Sequence, residues 1–131
     1  MYTMAWNDDE NAPQPGVFLC RIEDVPEGQG REFVFGVGGF PFCMFMVRKG
    51  ETIRGYVNSC PHTGAPLNWS PDEFTSEDGQ LIICSTHGAL FEMENGYCSF
   101  GPCKGDYLEP VPLETQGGLI VIGNGPDKEE R

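Results

Sequence analysis

Apolar and polar residues alternate over short runs, and glycine or proline breaks nearly every run. Residues 17–22 make a first strand-like segment, followed by a turn at Pro26, Gly28 and Gly30. Residues 31–37 alternate, with Phe33 and Phe35 on one face. Residues 40–47 are apolar almost throughout and predict a buried strand; residues 52–58 alternate again. Residues 59–78 carry Pro61, Gly64, Pro66 and Pro71, which leaves a loop with at most one helical turn over 70–76. Short strands follow at 80–83, 89–94 and 97–100, with Asn95-Gly96 as the strongest hairpin signal. Segments 108–114 and 118–122 close the series. This period-two pattern predicts an all-β chain.

Composition agrees. The chain has 131 residues, enough for one domain, and its 18 glycines and 11 prolines suit many strands joined by turns rather than a helical bundle. The boundaries expected are a flexible tail over 1–15, one domain over 16–122 and a second flexible tail over 123–131. The formal charge of −12 repels nucleic acid and anionic lipid, so a basic partner surface is the natural contact. Residues 1–16 lack a basic start and a long apolar run, and no apolar stretch is long enough for a membrane span. The expectation is therefore a cytoplasmic protein with no direct membrane insertion. Six cysteines in such a setting point to metal or redox chemistry before disulfides.

Two short segments carry that chemistry: Cys60-Pro61-His62 and Cys84-Ser85-Thr86-His87. Each offers one thiolate and one imidazole, whereas a structural zinc site usually takes its cysteines from one knuckle and its histidines from another. One Cys and one His per loop suits a binuclear centre, with both thiolates on one iron and both imidazoles on the other. An oxidised [2Fe–2S] site with four thiolates carries −2. With two thiolates and two neutral imidazoles it is neutral, so adding an electron is easier and the potential rises, to roughly −150 to +300 mV.

The C-x-H, spacer, C-x-x-H pattern resembles the Rieske family, over about residues 50–122 and including Asn58, Ser59, Gly88, Ala89, Gly101 and Pro102 around the four candidate ligands. The resemblance implies an antiparallel β-sandwich with a smaller cluster-binding subdomain of loops and a hairpin, here about residues 58–104. It implies a Rieske-type [2Fe–2S] cluster with Cys60 and Cys84 on the inner iron and His62 and His87 on the outer one. A third, proline-containing loop covers the cluster in this family, and Gly101-Pro102 stands in its place. High-potential members add a disulfide between the two cluster loops, where this chain has Ala65 and Thr86. They also add hydroxyl donors from a Ser and a Tyr, where this chain has Ala89 and Phe91. A potential low in the Rieske range is expected, as in soluble Rieske ferredoxins.

The whole chain holds two histidines, both in the motif, so the resemblance does not extend to an oxygenase with a second, mononuclear iron site. The function implied is one-electron transfer by a ferredoxin component of an oxidoreductase system, with no catalytic residues of its own. Its partners would be a reductase, a terminal oxygenase or both. The alternative is a permanent small subunit or redox-responsive accessory subunit of an oxidoreductase complex. Among the remaining residues, Cys20 and Cys43 read as buried hydrophobes, and Cys98 and Cys103, flanking the third loop, as free thiols ahead of a disulfide or ligands of something else; Trp69 and Phe74 read as a small cluster propping the spacer ahead of a role in docking. Asp72, Glu73, Glu77 and Asp78 make that spacer acidic.

Overall fold

The computed structural model describes residues 6–36, 41–61, 64–86 and 88–124. Among the described residues, ten short strands form three antiparallel sheets. β1 (Phe18–Arg21), β10 (Leu119–Ile122) and β9 (Leu113–Gln116) make the first. The second, in order, contains β2 (Gly30–Phe35), β3 (Phe42–Lys49), β4 (Thr52–Val57) and β8 (Pro110–Val111). The third is β5 (Leu81–Ile83), β6 (Leu90–Glu92) and β7 (Cys98–Phe100).

β3 explains how these sheets stack. Its residues alternate between two cores: Phe42, Met44 and Met46 pack toward the first sheet, while Phe45 and Val47 pack toward the third. A strand covered on both faces has no solvent side, which is why 40–47 reads as a continuous apolar run. On one side Cys20, Ile120, Met46 and Ile53 close a sandwich between the first two sheets. On the other, Phe45, Tyr56, Ile82, Phe91, Met93 and Leu108 form a larger core beneath the third sheet. Phe74, from the long spacer, stacks on Phe45 with centroids 4.3 Å apart and planes 5° apart. The Tyr56 hydroxyl donates to the Met93 carbonyl at 2.6 Å and joins the second sheet to the β6–β7 hairpin. That hairpin turns at Asn95-Gly96, where Gly96 has φ +75°, as the sequence predicts.

Several expectations shift. Residues 6–15 are not a free tail: Trp6 is 5% exposed, lies 6.1 Å from the Phe42 ring, and its backbone N–H donates to the Glu109 carboxylate. The segment 108–114 is two strands rather than one, because Pro112 has no N–H to continue a ladder. Residues 70–76 form bends and turns with no helical turn, and Thr75 makes an isolated bridge to Ile82. Phe74 belongs to the main core, whereas Trp69 is 74% exposed. Cys20 is buried as expected, while Cys43 is only half-buried. Most of the second tail, 125–131, lies outside the described residues.

Candidate metal centre

Strand β4 delivers the chain into the first loop through Asn58, which is 6% exposed and fully engaged. Its side-chain oxygen accepts the Leu67 N–H at 2.8 Å, and its amide nitrogen donates to Asn68 Oδ1 at 2.9 Å and to Glu32 Oε2 at 3.3 Å. One buried side chain thus ties the entry of the loop, its exit and the β2 edge together. The second loop is tied to the first as well: the Ser85 N–H, just after Cys84, donates to the Leu67 carbonyl at 2.8 Å.

Inside that frame the two loops are built alike. The Cys60 N–H donates to the Ala65 carbonyl at 2.8 Å, and the Gly64 N–H donates back to the Cys60 carbonyl at 2.7 Å. In the second loop the Cys84 N–H donates to Ala89 at 2.9 Å and the Gly88 N–H to Cys84 at 2.8 Å. The glycines have φ of +77° and +69°, a region that costs an L-residue roughly 1–2 kcal/mol, and each sits in open space. Conformation, not crowding, demands glycine there. Both loops read C-x-x-x-G-A, at 60–65 and 84–89, with a histidine third in one and fourth in the other. This short repeat was visible in the sequence and is easily missed, because the histidine spacing draws the eye to the difference between the loops.

Cys60 and Cys84 are 3% and 1% exposed and belong to the same apolar cluster. His62, Thr63 and His87 lie outside the described residues. The donor set that can be described, two thiols delivered to one buried apolar cluster by two matching loops, fits the all-cysteine half of a Cys₂His₂ binuclear iron centre. It does not resemble a zinc knuckle, in which both thiols come from one turn.

The third loop rests on both of the others. A β-carbon at Gly101, whose φ is +108°, would stand 2.8 Å from Ala89 Cα and 2.9 Å from its Cβ, so the absence of one lets 101 settle onto the second loop. Two residues on, Cys103 is buried in the same cluster as Cys60 of the first loop. Burial, reinforced by Cys98 and Cys60, pushes the Cys103 thiol up to about 12. Ala89 and Phe91, 1% and 0% exposed, bring no hydroxyl to this region. Of the acidic spacer residues, Asp72 accepts the Glu32 N–H at 2.8 Å and Asp78 accepts the Ser76 hydroxyl at 2.6 Å. Asp72 therefore ties the spacer to β2, and Asp78 shapes its own turn.

Comparison with known proteins gives a consistent picture. The family described as the Rieske [2Fe-2S] domain matches residues 16–115. The ferredoxin component of the alkene monooxygenase system of Xanthobacter autotrophicus is 29% identical over 114 residues, covering 87% of this chain and 85% of that protein. The ferredoxin of carbazole 1,9a-dioxygenase from Nocardioides aromaticivorans IC177 superposes with a TM-score of 0.64 at 20% identity, covering 86% of this chain and all of the other. A chain in a complex of reduced oxygenase and oxidized ferredoxin of carbazole 1,9a-dioxygenase gives 0.62 at 26% identity, over 79% of this chain and 97% of that one.

Proposed function

Since the chain belongs to the Rieske [2Fe-2S] domain family, we propose that it is a one-electron carrier, a ferredoxin that delivers electrons to an oxygenase. The observation that carries this reading is the pair of matching backbone brackets that bury Cys60 and Cys84 together. Cys60 and Cys84 would hold the inner iron and His62 and His87 the outer one. The bound cluster supplies a site that accepts one electron and gives it back.

The chain's own residues do the rest. The brackets fix both thiols before any iron arrives, so little rearrangement accompanies a change in cluster charge. Phe91, Met93, Leu67 and Leu108 keep water away from the thiolate side. Gly101 and Cys103 close the third loop over the other two. A net charge of −12 favours a basic docking face on the reductase and on the terminal oxygenase, and predicts association that weakens as salt rises. Among the described residues no helix is long and apolar enough to cross a membrane. A cytoplasmic setting is part of the same proposal, resting on the six free cysteines.

The test is an EPR spectrum of dithionite-reduced protein purified without oxygen, with iron and sulfide assayed on the same sample. A rhombic signal with an average g below that of all-cysteine ferredoxins, at two irons and two sulfides per chain, is expected. A silent sample holding one zinc and no sulfide would overturn the reading.

A further inference from the structure

Cys98 and Cys103 have no part in the ligand set, yet their sulfurs are in close contact. Their Sγ atoms lie 2.9 Å apart, and the residues are 0% and 2% exposed. Backbone bonds independent of the sulfurs hold this approach in place. The Cys98 N–H donates to the Asp106 carbonyl at 2.8 Å, the Gly105 N–H to the Cys98 carbonyl at 3.1 Å, and the Asp106 N–H to the Cys103 carbonyl at 2.8 Å. Cys98 is anchored in β7 and Cys103 in the turn that follows, so the two ends of the 98–103 segment face each other whatever their oxidation state. A disulfide needs its sulfurs about 2.05 Å apart, a movement of under about 1 Å from here.

We propose that Cys98 and Cys103 form a thiol–disulfide couple, a redox modification site within the loop that rests on Cys60 and Ala89. The oxidant is a low-molecular-weight disulfide of the glutathione class. One thiol of the pair, once it has given up its proton, attacks the small disulfide and forms a mixed disulfide with release of one small thiol. The other cysteine then displaces the second small thiol and closes the 98–103 bond. Two cysteine S–H bonds and one S–S bond are broken, one new S–S bond forms, and both protons and both electrons leave on the two small thiols. Oxidation removes the S–H group beside Cys60 and ties the strand end to the turn that carries Gly101. Its effect on the cluster rests on the reading of Cys60 as a ligand; formation of the bond does not.

The experiment uses the full chain with its cluster, equilibrated without oxygen in glutathione buffers from fully reduced to fully oxidised. Samples are quenched in acid, alkylated, and cut after Lys/Arg and after Glu. Cleavage at Glu94 and Lys104 yields fragment 95–104, which contains Cys98 and Cys103 and excludes Cys60 and Cys84. In oxidising buffer that fragment is expected unalkylated and lighter by two hydrogens; in reducing buffer it carries two alkyl groups. The C98S and C103S variants are each expected to lose the lighter species. Two alkyl groups at every poise would overturn the proposal, as would a bond from either cysteine to a fragment holding Cys60 or Cys84. Visible absorbance on the same samples reports the cluster separately, so a disulfide in a cluster-free protein would sink the ligand assignment and leave this proposal standing.

Discussion

The buried Asn58 side chain accepts the Leu67 N–H at 2.8 Å, across nine residues of loop that include Cys60. A carboxamide in a core is tolerated only when each of its groups is met, and here its nitrogen is met by Asn68 and Glu32. Replacing it with alanine leaves the Leu67 N–H buried without a partner, at a cost of about 1–3 kcal/mol. The N58A protein should unfold at lower temperature and lose its iron faster under a chelator. Equal melting temperatures and equal iron-loss rates would show that the loop is held by something else.

Gly101 and Gly64 both have positive φ, but only Gly101 is also crowded. Alanine at 64 meets nothing within 4 Å and should cost roughly 1–2 kcal/mol of backbone strain alone. Alanine at 101 adds a collision with Ala89 backbone, which cannot rotate away. G101A should therefore be the more destabilised of the two in urea melts, by at least about 1 kcal/mol. A G101A chain as stable as G64A would mean that the third loop does not rest on the second as described.

Tyr56 supplies a pH signature. Burial raises its phenol to about 12 from an ordinary value of 10, so the folded chain holds this proton after the unfolded chain has released it. The unfolded state binds fewer protons between those values, and stability must fall as pH rises from about 10 to about 12. In Y56F that contribution vanishes, so the slope of unfolding free energy against pH in this window should be shallower by up to one proton. The same variant should be less stable at neutral pH by about 0.5–1.5 kcal/mol, having lost the bond to Met93. A slope unchanged from the parent would assign the alkaline transition to other groups.

Ala89 and Phe91 are buried in the cluster region and carry no hydroxyl. A donor to a cluster sulfur stabilises the reduced, more negative state, so its absence should keep the midpoint potential in the lower part of the roughly −150 to +300 mV Rieske range. Voltammetry of the adsorbed protein should find it below about 0 mV. A value near the top of the range would require sulfur donors from elsewhere in the chain.

How much of this was legible in the sequence depends on how local each signal is. Alternation placed nine of the strand segments, and Asn95-Gly96 marked its hairpin, because a strand face and a tight turn are decided by adjacent residues. The thick apolar run at β3 announced a strand buried on both sides, though not which sheets cover it. Trp6 could not be read this way: its partners, Phe42 and Glu109, are far along the chain, and its own neighbourhood is polar. Trp69 and Phe74 failed as a pair for the same reason, since Phe74 stacks on Phe45, far along the chain, while Trp69 is exposed. At the site, Cys60 and Cys84 are both buried in one apolar cluster, and His62 and His87 lie outside the described residues. The Asn58 tether was hidden because asparagine before a loop is ordinary in sequence and becomes decisive only when buried.

The paired brackets around Cys60 and Cys84 are written entirely in main-chain hydrogen bonds. A mounting of that kind is indifferent to the fittings it carries. Away from the two glycines it requires, side chains within it can be exchanged, or a donor shifted by one position, without the loop having to find a new shape. Natural variation can thus retune the redox chemistry of this scaffold by small steps, each leaving a protein that still folds.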